Sequence, residues 1–499
     1  SQQGSTFDAR ELLAAGERRG MRELASQPLA QAELLGVIAR LRLGLGDYRE
    51  SLALLEKQAR VLDTTPDAPD SLRLQAATQH GRVLRLLGRS RQCVQAMAQM
   101  EARLPGLSSR LPLPVAEFQS QNGRCRADAG EKQVARQMFE RSLDTRRSLK
   151  DEAGVAENLR DLAQLDVELG NAEAGVRGYR AALAHLQAHG YARHPLVIEI
   201  QRSLALLYRN RGETDAALAS FQRARELSEE IHGPRHPLTQ ALRRHIAAVH
   251  VDQGRLREAD EELRLLHAMT LETLGPRHRD AASSWNSMGI IAWERGDDAT
   301  AVRDVAQAIA IWRENESLQI LPGGLFNYGM VLHSARRHDE ALAALEESRR
   351  MRVATIGASH ALIGETDRMI GEVLAAKGDL EGATERFDRA VRLTRVGFGP
   401  EHPRTWFAEL SMARHQTRLG RPQEALAALE TLARHEGGGS EAPKLRWLAR
   451  GYQAEARCRM GERERAQRDL DALAAELRSA QPDGGVIPRE IAALRAACR

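Results

Sequence analysis

Apolar and small residues return along this chain with a beat of about forty residues. Between His194 and Pro237, Leu204, Ala205 and Tyr208 fall on one face of a helical pattern, and Ala217, Phe221 and Ala224 fall on one face of a second. Gly212 stands between them. Glycine can end the first helix because it adopts the left-handed capping conformation without steric penalty. The unit closes in Gly233-Pro-Arg-His-Pro237, which no helix crosses. One hairpin cannot bury both apolar stripes, so it must lean on neighbours.

The chain supplies them. The turn at Gly212 recurs at Gly46, Gly88, Gly130, Gly170, Gly254, Gly296, Arg336, Gly378, Gly420 and Gly461, and these anchors define eleven units of 40 to 42 residues. Seven residues before each anchor the side chain is always Ala or Gly, from Ala39 to Ala454. Five residues after it the side chain is again small, from Ser51 to Ala466. Small residues are required where the two helices of a hairpin cross closely.

Trp285-x-x-Met288-Gly289, Leu204-Ala205-x-x-Tyr208 and Ala217-x-x-x-Phe221 resemble the tetratricopeptide (TPR) signature. The longer period and the linkers Gly233-Pro-Arg-His-Pro237, Gly275-Pro-Arg-His278 and Gly399-Pro-Glu-His-Pro403 resemble the kinesin-light-chain variety. The resemblance implies an all-α fold: a TPR solenoid, a right-handed superhelix of about eleven helix-turn-helix repeats with a capping helix at each end. The expected organisation is a capping helix in 1–28, the array in 29–482 and a second capping helix in 483–499. Irregular joints are expected at Leu104 to Pro114, at Leu318 to Gly324 and at a flexible Gly437 to Pro443 connection.

A second resemblance covers about the first 50 residues. Ala9-Arg-Glu-Leu-Leu13, Leu24-Ala-x-Gln-Pro28 and Leu-Gly-Asp-Tyr48 look like the start of the TPR region that follows the transmembrane helix in bacterial Ser/Thr protein kinases. That resemblance implies a periplasmic sensor region, attached to the membrane only through a missing upstream segment. The alternative is a cytoplasmic scaffold or a peptide-responsive regulator. The opening Ser1-Gln2-Gln3, without methionine, suits a piece of something longer.

Net charge changes little: 72 Lys and Arg against 68 Asp and Glu leave +4. No nucleic-acid-binding pattern and no dense basic run is present, so a nucleic-acid partner is not expected. No catalytic, cofactor or metal motif stands out, and a non-catalytic module is expected. His194, His236, His278, His360 and His402 share one linker position, where they read as turn-closing residues rather than metal ligands. Cys93 and Cys125 lie on helices that should pack together, which makes them a candidate disulfide; Cys458 and Cys498 form a second candidate pair.

Binding of a peptide or protein is expected on the concave wall formed by the first helices, with a homodimer as a further assembly. Six residues before the anchors stand Arg40, Arg82 and Arg124, with Arg85 nearby; ten before them stand Arg160, Arg202 and Arg244. Equivalent positions in successive repeats project alike, so each series forms a basic ladder suited to carboxylates. The alternative is a salt-bridged face with Glu157 and Glu199 as partners. Farther along, Asn286, Trp293, Asn327 and His333 occupy groove-facing positions, with amides to clamp a peptide backbone and an aromatic to line an apolar pocket.

Overall fold

The structure is a computed structural model that describes residues 9–317, 319–435 and 441–499. Among these residues there are twenty-five α-helices and no strand. The chain divides into two compact units, Ser1–Gln201 and Arg202–Arg499.

The first unit opens with α1 (Ala9–Glu23), followed by the hairpin of α2 (Pro28–Gly44) and α3 (Tyr48–Asp63). A second hairpin pairs α4 (Asp70–Leu86) with α5 (Ser90–Glu101), and the irregular joint holds one short turn, α6 (Leu104–Leu107). Then come α7 (Pro112–Asp128) with α8 (Lys132–Ser148), and α9 (Glu152–Glu168) with α10 (Ala172–Ala188). Leu35, Leu74, Met97 and Phe118 are fully buried in its core.

The division falls within α11 (Pro195–Asn210), which pairs with α12 (Thr214–His232). The second unit continues with α13 (Pro237–Asp252) and α14 (Leu256–Leu274), then α15 (Arg279–Arg295) and α16 (Asp298–Glu314). Next are α17 (Leu321–Ser334) with α18 (His338–Ile356), and α19 (Ala361–Lys377) with α20 (Leu380–Phe398). It ends in α21 (Pro403–Arg418) with α22 (Pro422–Ala433), α23 (Glu441–Arg459) with α24 (Arg463–Ala480), and the single α25 (Val486–Ala497). Of the flexible connection expected near Gly437, residues 437–440 lie outside the described residues, and Glu441 to Pro443 already open α23.

The anchors act as the sequence pattern implies. All eleven have positive φ, from 60° at Arg336 to 90° at Gly461. The N–H after each anchor donates to the carbonyl five residues back, as from Glu213 to Tyr208 at 2.9 Å and from Asp297 to Ala292 at 2.8 Å. This is the Schellman closure, which satisfies a carbonyl left over at the helix end. The small column before the anchors explains itself by contact. A Cβ on Gly123 would stand 2.7 Å from the Phe139 ring, and one on Gly371 2.8 Å from the Phe387 ring. Where that column carries Ala163, the partner helix gives way instead, with Gly178 opposite.

The linker histidines are N-caps. The N–H of Leu196, Leu238, Asp280, Leu362 and Arg404 each donates to Nδ1 of the histidine two residues earlier, at 3.1–3.2 Å. Each imidazole thus satisfies one orphan donor of the following helix. Cys93 on α5 lies beside Cys125 on α7, and Cys458 on α23 beside Cys498 just after α25, with Cα–Cα distances of 5.7 and 5.9 Å. Both distances lie within the span a disulfide bridges.

Candidate functional site

First helices of adjacent hairpins touch one another in both units, as α4 touches α7 and α21 touches α23. Every groove residue named from the sequence lies on a first helix.

In the first unit, part of the expected basic ladder is neutralised. Arg124 on α7 donates from Nε and Nη2 to Asp161 Oδ2, at 2.8 and 2.6 Å, and reaches Glu157 Oε1 at 2.7 Å. Asp161 also pairs with Arg160 at 2.7 Å, which holds Glu199 at 2.7 Å. Arg146, from the buried side of α8, takes the other oxygen of Glu157 at 2.9 Å. Three arginines and three carboxylates alternate along α7, α8, α9 and the start of α11. Burial raises the Glu157 carboxyl, but Arg124 and Arg146 outweigh burial and hold it at about 2. Arg85 lies 3.6 Å from Asp128. Arg40 and Arg82 are exposed. The salt-bridged alternative therefore describes Arg124 and Arg160, with Glu157 and Glu199 in the roles anticipated.

The second unit differs. Arg202 on α11 and Arg244 on α13 have no ion-pair partner among the described residues, although their neighbours do. Arg209 holds Asp252 at 2.5 Å, and Arg243 bridges Glu229 and Glu262 at 2.5 and 2.9 Å. The Nε of Arg202 is shielded from solvent and makes no hydrogen bond. His245 stacks on Phe221, with ring centroids 5.0 Å apart. Burial lowers its pKa first, and the positive charges of Arg202, Arg209 and Arg244 lower it further. Of these three charges, Arg209 is offset by Asp252 and those of Arg202 and Arg244 are not.

Farther along, Asn327 on α17 donates to Asn286 on α15 at 3.1 Å, joining two successive first helices. Trp285 packs edge-on to His267 at 4.4 Å and against the core, so it is a packing residue. Trp293 also leans on the core, but its Nε1 is shielded without a hydrogen-bond partner. His333 lies against His338 at 5.1 Å; burial lowers its pKa, and the partly opposing Glu372 does not restore it. Glu372 is itself held below the usual carboxylate range, because Arg418 and Arg414 outweigh the effect of its burial.

One feature of this wall had no sequence signal. The C-terminal segment caps α23 and α24 and also reaches α15. Arg489 on α25 donates to the Trp293 carbonyl at 2.9 Å and approaches Asp298 at 3.7 Å. Asp483 accepts from the Arg257 N–H at 3.0 Å and pairs with its guanidinium at 3.3 Å. Glu490 pairs with Arg414 of α21 at 2.5 Å. The turns at Gly254 and Gly296 lie under this segment: a Cβ on Gly254 would meet Gln481 at 3.0 Å, and one on Gly296 would meet Arg489 at 3.1 Å. No helix among the described residues is long and apolar enough to cross a membrane.

Comparisons with known proteins agree with this architecture. Tetratricopeptide-repeat family models match residues 196–269, 238–314, 362–434 and 327–362. The apo form of RapI is similar over 78% of this chain and 98% of that one, at 12% identity and a TM-score of 0.54. Kinesin-light-chain TPR-like repeats of Podosopora anserina align with 41% of this chain and 97% of their own, at 18% identity and a TM-score of 0.36. A secreted RxLR effector protein of Plasmopara halstedii is 25% identical over 146 residues, which is 29% of this chain and 42% of that protein. The chain thus spans less than half the length of that curated relative. The chain is thus an all-α array of tetratricopeptide-type helical hairpins, with the tetratricopeptide-repeat family itself matched over residues 196–314 and 327–434.

Proposed function

We propose that this protein is a non-catalytic binding module that takes an acidic peptide or protein segment on the first-helix face of its second unit. The observation that carries the reading is the pair Arg202 and Arg244, left without carboxylate partners in a chain that pairs most of its neighbouring arginines. Arginine holds a carboxylate through two parallel N–H donors, and a ligand carboxylate would complete what the protein leaves open. Asn286, Asn327, Trp293 and His333 extend the same layer and would meet the peptide backbone and an apolar side chain. Arg85 and Arg124 contribute less, because both are paired with carboxylates of the protein, and Arg40 and Arg82 are exposed but belong to the first unit. A fluorescein-labelled hexaglutamate peptide serves as probe, read by anisotropy at low salt. Arg202→Glu with Arg244→Glu should weaken binding at least tenfold, while Arg40→Glu with Arg82→Glu should change it less. Equal binding by the first variant and the wild type would overturn the assignment.

We further read the module as the extracytoplasmic sensor region of a bacterial transmembrane Ser/Thr kinase. The resemblance of the first 50 residues supports this, as do two cysteine pairs close enough to be bridged. Four free thiols in the denatured, unreduced protein purified from its native compartment would favour the cytoplasmic scaffold or regulator instead.

A further inference from the structure

The histidines that stand outside the linker position include His185 and His189, four residues apart near the end of α10. That spacing places both imidazoles on one face of the helix. Because α9 and α10 run antiparallel as a hairpin, this face meets the first residue of α9, Glu152. Glu152 Oε2 lies 2.9 Å from His185 Nε2 and 3.6 Å from His189 Nε2. The three ligand atoms all lie within 4.8 Å of one another, and no other group of three such side chains converges among the described residues.

We propose that Glu152, His185 and His189 form a divalent transition-metal site, with zinc the best-matched ion. Three details go beyond proximity. The spacing is close: ligands at about 2.0–2.2 Å from a tetrahedral zinc stand roughly 3.3–3.6 Å apart, and the two separations are 2.9 and 3.6 Å. The tautomer is right: His189 Nδ1 lies 2.8 Å from the His185 carbonyl, so it donates there and leaves the Nε2 lone pair facing the cluster. Metal-binding histidines commonly fix the opposite ring nitrogen through such an outer hydrogen bond. Finally, His185 Nε2 is shielded from solvent and, despite its nearness to Glu152, makes no hydrogen bond. A coordinate bond would satisfy it. Two imidazoles and one carboxylate favour zinc and its neighbours over calcium or magnesium, which prefer all-oxygen sets. The fourth position is left to water or to a ligand from a partner. Occupancy would rivet the start of α9 to the end of α10.

The test uses tag-free full-length protein stripped with chelator. Competition with a chromophoric zinc indicator should give one tightly held zinc per chain, and magnesium should not compete. His185→Gln with His189→Gln should lower that affinity at least tenfold, as should Glu152→Gln, which keeps the size of the side chain. Zinc should raise the melting temperature of the wild type and leave that of the double variant unchanged, a comparison internal to each protein that survives any loss of its basal stability. Equal zinc affinity in the wild type and both variants would overturn the site, as would wild-type binding no tighter than millimolar.

Discussion

At the residue scale, the anchor position isolates one preference. Ten of the eleven anchors are glycine and one is Arg336, held at φ 60°. A side chain at positive φ brings Cβ against the following carbonyl, which costs about 1–2 kcal/mol. The greater freedom of glycine in the unfolded chain offsets part of any gain. Arg336→Gly is therefore expected to stabilise the protein by a few tenths to about 1 kcal/mol. A denaturation midpoint at or below that of the wild type would contradict this. The same column shows why the fold was legible. The turn demands a conformation that glycine supplies, so the demand is written in the sequence. Positive φ also occurs at the far end of seven hairpins and was harder to read, because Lys150 and Glu316 stand there as well as Gly190, Gly233, Gly275, Gly357 and Gly399.

At the element scale, His236 and His402 cap their helices by accepting at Nδ1, which ties the start of those helices to protonation. Burial lowers the pKa of the capping residues His236 and His402, with His232 and Arg404 adding to it. Burial also lowers His80, His245, His250, His267, His333 and His415. A histidine whose folded pKa lies below its ordinary value of 6.5 binds fewer protons in the fold than in the unfolded chain. Its contribution is fully present above that value and is lost as pH falls through it. The melting temperature should thus fall between about pH 7.5 and 5.5, before carboxylates titrate. Replacing His236 and His402 by Asn, which caps without titrating, should flatten that slope. An unchanged slope would remove the caps from the explanation. Elements also explain which parts of the site were hidden. The arginine ladders were visible as a period, and so was Glu157, but the acid to which Arg124 gives two donors is Asp161, 37 residues on in another repeat. A repeat pattern locates equivalent positions, and the choice of which carboxylate bends toward which guanidinium depends on side-chain packing that the pattern does not carry.

At the scale of the whole molecule, the two units are differently furnished. The first carries an alternating, self-neutralised wall and the proposed metal site. The second carries the unpaired Arg202 and Arg244 and receives its own C-terminal segment. The contacts of that segment join residues 226 and 196 positions apart, far beyond the reach of any local signal. Arg489→Ala removes both the bond to the Trp293 carbonyl and the approach to Asp298. Amide hydrogen exchange should then quicken in α25 and also in the turns at Gly254 and Gly296. Acceleration in α25 alone would mean that the contact contributes nothing to the turns.

A stack of repeats ordinarily unravels from its free end, because each layer is held only by the layer beside it and the total stability is a sum of adjacent terms. The docking of the 481–490 segment onto the start of α14 and the end of α15 adds a term that skips the layers in between. Fraying the last hairpin of the second unit would require releasing Arg257 and the Trp293 carbonyl as well, so its end is tied to its second and third hairpins. The melting of this unit should accordingly be more nearly all-or-none than the length of its array implies.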